Sequence, residues 1–93
     1  MTDYVEKAAN FVNATRHYKL VIIGYTDDTA ARENNLKLGM RRAEVVAEMF
    51  RDAGVPDNKL VIESKGEKDP IATNMTRAGR EKNRRVEIGI VGR

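Results

Sequence analysis

Apolar residues recur along this chain with two different periods, and the order of the two periods predicts its elements. Near the N-terminus they return every three or four positions, which predicts a helix over residues 4–15. The residues of this stripe are Tyr4, Val5, Ala8, Phe11 and Val12. Tyr18–Tyr25 then forms an unbroken apolar run, which is typical of a strand covered on both faces or of a central parallel strand.

A second helical period predicts a long helix over Glu33–Ala53. Its expected buried stripe is Leu36, Met40, Ala43, Ala47 and Phe50. Gly54 suits the residue after a helix, and Pro56 cannot continue one, so the helix is expected to stop there.

The C-terminal half alternates between apolar and polar residues, as strands do. This alternation predicts strands over Lys59–Lys65 and Arg84–Val91, separated by a loop over Gly66–Arg80. In the last strand, Val86, Ile88 and Ile90 share the expected core face. The order helix, strand, helix, strand, strand predicts an α/β fold. It should be a two-layer α+β sandwich with a parallel strand–helix–strand crossover and a mixed sheet that has its helices on one face.

Composition fits one folded domain over residues 1–93 and excludes several kinds of site. The chain is 41% hydrophobic and 33% charged, and its longest apolar run, Leu20–Ile23, is the length of a strand. It has no cysteine, so it can form neither disulfides nor thiolate metal sites. His17 is the only histidine and Ser64 the only serine. We therefore predict no metal site, no cofactor and no enzymatic activity.

Asp27 and Arg42 are the most interesting charged residues. Asp27 follows the end of a predicted parallel strand, where open α/β sheets bind their ligands. Arg42 lies about 10 Å along the next helix from Asn35, and helical side chains lean back toward the N-terminus. The two could hold the ammonium and carboxylate of a zwitterion. They could equally form a plain salt bridge, or Asp27 could be an ordinary loop residue.

Two stretches share an ordered set of spacings. They comprise Gly24-Tyr25-Thr26-Asp27, Asn35, Leu38 and Arg42-Ala43, followed by Asn74, Thr76, Gly79-Arg80 and Asn83-Arg84-Arg85-Val86-Glu87. From about residue 4 to the end, the chain resembles the OmpA-like peptidoglycan-binding domain of outer-membrane proteins, lipoproteins and flagellar stator proteins. The resemblance implies non-catalytic anchoring to the cell wall, in the periplasm of a Gram-negative bacterium and associated with its outer membrane or wall.

The resemblance also implies roles for particular residues. Asp27 and Arg42 would grip the free end of diaminopimelate in the peptidoglycan stem peptide. Thr29 and Asn35 would line the same pocket, and Leu38 would border it. On the last strand only one arginine of the Arg84-Arg85 pair can face the helices. We expect Arg84, the one nearer the loop, to line the ligand side; solvated arginines or structural salt bridges are the alternative.

The chain departs from the family at several points. Ala30 stands where glycine is common, and Gly39 stands where serine is usual. Members usually begin with a strand before the first helix, which is absent here. The resemblance also implies export, and Met1-Thr2-Asp3 lacks the basic start and apolar stretch of a secretion signal, so we expect such a signal or a membrane-attached part to lie outside this sequence. Without that strand, the edge of Arg84–Val91 would be open. A homodimer through this edge, or a strand supplied by another chain, is the expected consequence.

Two other functions compete with wall binding. The net charge is +3, and five basic residues crowd the C-terminal region: Arg77, Arg80, Lys82, Arg84 and Arg85. Such a patch suits phosphate, and thus nucleic acid. However, Phe11 and Phe50 fall on predicted buried stripes, so no aromatic platform is expected for stacking bases. The other alternative is a structural, self-associating module with an open sheet edge.

Overall fold

Three α-helices, one short 3-10 turn and a three-stranded sheet make up the computed structural model, which describes residues 2–92, with side chains from Asp3 onward. The elements are α1 (Thr2–Ala14), β1 (Tyr18–Tyr25), α2 (Arg32–Asp52), the 3-10 turn (Asp57–Lys59), β2 (Leu60–Gly66), α3 (Arg77–Asn83) and β3 (Val86–Gly92). The predicted α/β class and the order of the main elements are confirmed.

The sheet has the strand order β2-β1-β3, with β1 in the centre. β1 runs parallel to β2 and antiparallel to β3, so the predicted mixed sheet is also confirmed. Ile22 shows the register, because it lies opposite Ile62 on one side and Ile88 on the other. On β1 the face that holds Leu20 and Ile22 is fully buried, whereas Val21 on the other face is only half-buried.

The core lies between the buried face of the sheet and the two long helices. Its residues are Val5, Ala8, Ala9, Val12, Leu20, Ile22, Ala43, Val46, Ala47, Phe50 and Val55, with Leu60, Ile62, Val86 and Ile88 packed against them. Two residues of the predicted α1 stripe, Tyr4 and Phe11, are instead 47% and 46% exposed. Small residues, Ala8 and Ala9, make the closest face of α1, so the flanking aromatic rings remain at the margin.

The predicted stripe of α2 is wrong in its first half. Leu36 and Met40 are both 37% exposed, whereas Asn35 and Gly39 are buried. The reason is a direct backbone contact with the sheet. A Cβ at Gly24 would lie 1.8 Å from the carbonyl oxygen of Gly39, so only glycines allow α2 to lie this close to β1.

The segment predicted as a loop over Gly66–Arg80 contains the beginning of α3. Thr76 is the N-cap of this helix, and its Oγ1 accepts a hydrogen bond from the Gly79 amide at 3.0 Å. Gly79 packs inside α3, where a Cβ would lie 1.8 Å from the Thr73 carbonyl oxygen. The helix has seven residues and no apolar stripe, so hydrophobic periodicity could not reveal it. β3 consequently begins at Val86 and not at Arg84.

None of the helices within residues 2–92 combines the length and the apolar character needed to cross a bilayer.

Candidate functional site

Asp27 lies in the loop between β1 and α2, at the carboxyl end of the central strand, and is 7% exposed. Its Oδ1 accepts a hydrogen bond from the Thr29 amide at 2.9 Å. Its Oδ2 accepts one from Arg84 Nη1 at 2.6 Å. The Thr29 contact is the local turn that aspartate side chains favour, so Asp27 also organises its own loop. Its ionic partner is Arg84, and the alternative of a direct Asp27–Arg42 salt bridge is wrong.

Arg42 projects from α2 toward the end of β1, as its position on the helix predicted. It is half-buried, and its Nη1 lies 3.4 Å from the carbonyl oxygen of Tyr25, two residues before Asp27. Among the described residues it forms no ion pair. The structure thus brings Arg42 to the same edge of the sheet as Asp27, with no carboxylate of residues 2–92 paired to its charge.

The two arginines before β3 diverge. Arg84 is the C-cap residue of α3 and turns toward Asp27. Arg85 lies over the Tyr25 ring, with its guanidinium carbon 3.8 Å from the ring centroid, and pairs with Glu87 at 2.7 Å. Its Nη2 also donates to the Asp69 carbonyl oxygen at 3.0 Å. Arg85 is therefore part of the framework, whereas Arg84 belongs to the candidate site.

The remaining predicted site residues take different positions around the loop. Asn35 is buried beneath it, and its Nδ2 donates to the Ala30 carbonyl oxygen at 2.9 Å and to Glu67 Oε1 at 3.0 Å. Its amide thus ties the β1–α2 loop to the end of β2. Thr29 is exposed on the loop, and Leu38 is half-buried on α2.

Asn83 is a residue whose importance the sequence reasoning missed. It is fully buried, and its Oδ1 accepts hydrogen bonds from the amides of Ile71 and Ala72 at 2.9 and 3.0 Å. Its Nδ2 donates to the Ala72 carbonyl oxygen at 2.9 Å and to Asn74 Oδ1 at 2.7 Å. Its place directly before Arg84 was the available signal. These bonds fix the loop after β2 and place Arg84 beside Asp27.

Asn74 and Thr76 both help to hold this loop. Asn74 accepts a hydrogen bond from Arg80 Nη1 through its carbonyl oxygen at 3.0 Å, in addition to its bond with Asn83. Thr76 caps α3. Side chains therefore hold the C-terminal part of the loop between β2 and α3, although it contains no regular structure.

The electrostatics of the site follow from these contacts. Burial raises the pKa of the Asp27 carboxyl, but the Thr29 hydrogen bonds and the Arg84 ion pair outweigh it, and the pKa lies below its ordinary value. Asp27 is therefore an anion at neutral pH. A carboxylate oxygen accepts more than one hydrogen bond, so Asp27 keeps capacity for a further donor. An anion with spare acceptor capacity and a cation without a carboxylate together suit a zwitterionic ligand.

Two further features of the described part of the chain bear on other kinds of site. No group of three or more histidine, aspartate or glutamate side chains is placed to hold a metal ion among these residues. A depression of about 550 Å³ lies at the opposite end of β1, lined in part by Arg16, His17, Lys19 and Lys59. Lys59 already donates to the carbonyl oxygens of Thr15 and Tyr18. The depression is far along the strand from Asp27 and does not form part of the candidate site.

Comparison with known proteins identifies the family of this chain. The profile of the OmpA family matches residues 2–84. Over 75% of the chain, the sequence is 46% identical to the outer-membrane lipoprotein YfiB of Pseudomonas aeruginosa, of which it covers 42%. Over 92% of the chain, it is 36% identical to the peptidoglycan-binding protein ArfA of Mycobacterium tuberculosis, of which it covers 26%. The chain thus spans less than half the length of either relative.

Solved structures lead to the same family. The crystal structure of the peptidoglycan-associated lipoprotein from Burkholderia pseudomallei matches with a TM-score of 0.89 at 28% identity, over 97% of this chain and 76% of that one. The family profile, the relatives and the shared fold agree with one another. This chain belongs to the OmpA family.

Proposed function

We propose that this domain binds peptidoglycan without catalysing a reaction, by holding the amino-acid end of diaminopimelate in the stem peptide. The observation that carries the proposal is Arg42. It is a half-buried residue whose guanidinium has no carboxylate partner among the described residues, at the same sheet edge as the ionised Asp27. Burying part of a charge without a counterion is costly, so such a group is well prepared to accept one from a ligand.

The ligand's two charges match the two side chains. Its ammonium donates to Asp27, whose Oδ1 and Oδ2 each already accept one hydrogen bond and can accept more. Its carboxylate accepts a forked pair of hydrogen bonds from Arg42, the geometry in which guanidinium groups bind carboxylates most strongly. Because both groups are needed, an amine or a carboxylic acid alone would bind far more weakly than the zwitterion.

The neighbouring residues support this pair in different ways. The Thr29 hydrogen bonds and Arg84 together lower the pKa of Asp27, and Arg84 also fixes the orientation of its carboxylate. Asn35 holds the β1–α2 loop from below, and Thr29 presents the amide that orients Asp27. Leu38, one turn before Arg42 on α2, supplies an apolar border.

The proposed location follows from the same function. A domain that binds the wall must face it, so we place the protein in the periplasm of a Gram-negative bacterium, associated with the outer membrane or the wall. The outer-membrane lipoprotein among its relatives supports this placement. Another relative is a peptidoglycan-binding protein of Mycobacterium tuberculosis, which supports wall binding itself.

The experiment compares two adjacent arginines of α2. Arg42→Ala removes the proposed carboxylate ligand, and Arg41→Ala removes an exposed arginine of the same charge. We expect Arg42→Ala to lose at least tenfold in affinity for purified sacculi and for free diaminopimelate, since a charged contact at a ligand typically contributes several kcal/mol. Arg41→Ala should bind as the unaltered chain does.

Sedimentation with sacculi and titration calorimetry with meso-diaminopimelate measure the two affinities, and circular dichroism checks the fold. Equal binding by both variants would refute the assignment of Arg42. If Arg42→Ala loses sacculus binding but the unaltered chain has no measurable affinity for diaminopimelate, wall attachment through Arg42 stands and its ligand is another part of the polymer.

Nucleic-acid binding is not supported by the arrangement of the basic cluster. Arg84 pairs with Asp27, Arg85 lies against Tyr25 and pairs with Glu87, and Arg80 holds the loop through Asn74. Much of the positive charge near the C-terminus is therefore used within the fold, and none of these arginines is left free to follow a phosphate backbone.

A further inference from the structure

The end of β2 departs from the regular ladder beside the candidate site. Gly24 of β1 pairs with Ser64, but the next residue, Tyr25, pairs with Gly66, so Lys65 is an extra residue in β2. An extra residue of this kind, a β-bulge, bends its strand and changes the direction of the side chains that follow it. Bulges often lie next to functional sites, where they re-aim a side chain.

The side chain that changes direction here is Glu67. Ile62 packs against the core, so regular alternation would place Glu63 and Glu67 together on the opposite face of the sheet. Glu63 is exposed there, but Glu67 is half-buried and reaches Asn35 of α2. Gly66 lies between the strand and Glu67 with a φ of 58°, a backbone conformation that favours glycine. The bulge and Gly66 thus turn Glu67 toward the helix.

Gly66 also brings the end of β2 against the β1–α2 loop and the first turn of α2. A Cβ at Gly66 would lie 3.2 Å from the Leu36 nitrogen and 3.3 Å from the Asn35 carbonyl carbon. Its own carbonyl oxygen accepts a hydrogen bond from the Thr26 amide at 2.7 Å. The end of β2 therefore contacts the segment that carries Asp27 from both sides along the chain.

Asn35 connects Glu67 to that loop. Its Nδ2 donates to the Ala30 carbonyl oxygen at 2.9 Å and to Glu67 Oε1 at 3.0 Å. A carbonyl oxygen and a carboxylate only accept hydrogen bonds, so these two contacts use both amide hydrogens and fix the direction of the Asn35 side chain. Asn35 is 1% exposed, so water is poorly placed to replace a partner that is removed.

We propose that Glu67 is a positioning residue for the wall ligand, an inference that rests on the proposed function. Glu67 holds the Asn35 amide, Asn35 holds the Ala30 carbonyl, and the loop that ends at Ala30 keeps the Asp27 carboxylate in place opposite Arg42. Glu67 acts through Asn35 and not by contact with the ligand. Without Glu67, the Asn35 amide loses one of its two fixed partners, and the loop is held less firmly in the arrangement that binds.

The first test measures the affinity of the full 93-residue chain for meso-diaminopimelate by titration calorimetry. Glu67→Ala removes the acceptor and should weaken binding about fivefold, the effect of one lost hydrogen bond. Glu67→Gln keeps an oxygen that can accept from Asn35 and should recover most of the affinity. Glu63→Ala removes an exposed glutamate of the same strand and should bind as the unaltered chain does. An unchanged affinity in Glu67→Ala, or a loss as large in Glu67→Gln, would overturn the proposal.

A double-mutant cycle asks whether Glu67 acts through Asn35. In a chain that carries Asn35→Ala, the connection from Glu67 to the loop is already lost. Adding Glu67→Ala should then leave the affinity for meso-diaminopimelate unchanged. A further loss as large as that in the unaltered chain would show that Glu67 acts by another route, and would also overturn the proposal.

Hydrogen exchange tests the same role without a ligand and without changing Asn35. The Thr29 amide donates to Asp27 Oδ1 inside the loop, so it should exchange faster in Glu67→Ala. The Ile22 amide, in the central strand, should change only as far as the global stability changes. Unchanged exchange at Thr29 would refute the positioning role. If the unaltered chain does not bind diaminopimelate, the proposed function fails, and the exchange at Thr29 still decides whether Glu67 holds the loop.

Discussion

At the scale of single residues, Asp27 forms two contacts, one through each oxygen of its carboxylate. Its Oδ1 closes the loop on the Thr29 amide, and its Oδ2 receives Arg84. Both contacts favour the anion, so the group that would bind an ammonium is kept charged by the fold. An alanine at this position would therefore disturb the loop as well as the ligand, and a substitution that keeps the shape of the side chain is the cleaner probe.

Asp27→Asn keeps an oxygen for the Thr29 amide and removes the charge. We expect it to bind sacculi at least tenfold more weakly and to cost about 1–2 kcal/mol of stability, since Arg84 loses a charged partner that is partly open to solvent. Urea denaturation measures the stability. Wall binding equal to that of the unaltered chain would remove Asp27 from the site.

The same pair predicts a dependence of stability on pH. The pKa of Asp27 is lower in the folded chain than in the unfolded chain, where it is about 3.9. The unfolded state therefore binds the proton more readily, and the stabilisation is complete above about pH 4 and is lost as the pH falls below that value. Between about pH 5 and pH 2, Asp27→Asn should therefore lose less stability than the unaltered chain does. Urea denaturation of both proteins at several pH values across this range measures the difference. Identical acid profiles would contradict this assignment.

At the scale of elements, the contact of α2 with β1 sets the position of Arg42. The two backbones meet at Gly24 and Gly39, and Ser64 of β2 lies beside them. Arg42 follows Gly39 by three residues on the same helix. The distance between α2 and β1 therefore determines how closely the Arg42 guanidinium approaches Tyr25. Glycine costs about 1 kcal/mol in a helix, and here the close approach accounts for its presence.

Gly39→Ala should therefore destabilise the chain although alanine favours a helix. Its Cβ would lie 2.3 Å from Ser64 Oγ and 2.9 Å from the Gly24 carbonyl oxygen, and such overpacking typically costs about 1–3 kcal/mol. Adding Ser64→Ala should restore part of the loss by removing the nearer atom. Gly89→Ala, in open space, is the control. Thermal or urea denaturation of these variants, of Ser64→Ala alone and of the unaltered chain measures the coupling between Gly39 and Ser64. An unchanged or raised stability in Gly39→Ala would contradict the packing argument.

Asn83 makes a corresponding prediction for the loop between β2 and α3. Asn83→Ala removes four hydrogen bonds to Ile71, Ala72 and Asn74, and we expect a cost of about 2–4 kcal/mol. The amides of Ile71 and Ala72 should exchange with solvent much faster in this variant. The exchange rates of the β1 amides should change only as far as the global stability changes. Lys82→Ala, exposed on the same helix, should leave the exchange pattern unchanged.

At the scale of the whole molecule, the strands and the two long helices could be predicted because burial imposes clear periods on them. α3 could not, since its stability comes from the Thr76 cap and from the polar contacts of Asn83, which leave no apolar pattern. Asp27 and Arg42 could be placed at one edge of the sheet from chain order alone. The choice of Arg84 as the partner of Asp27 depends on a contact between residues 57 positions apart, which spacing along a sequence does not encode.

The distribution of charge over the molecule gives the last prediction. If wall binding depends on one zwitterion held by Asp27 and Arg42, the ligand brings no net charge to the site, and salt has little to screen. We expect affinity for sacculi to fall less than about threefold between 0.05 M and 0.2 M salt, because close, partly buried pairs are screened much less than exposed ones. A basic surface that follows an anionic polymer would instead lose affinity by orders of magnitude over this range.

The double variant Arg77→Ala with Lys82→Ala removes two exposed charges of the C-terminal cluster and leaves the Asp27 contacts intact. It should bind sacculi as the unaltered chain does, with the same weak salt dependence, and a steep dependence abolished by this double variant would transfer the binding function from the sheet edge to the basic surface.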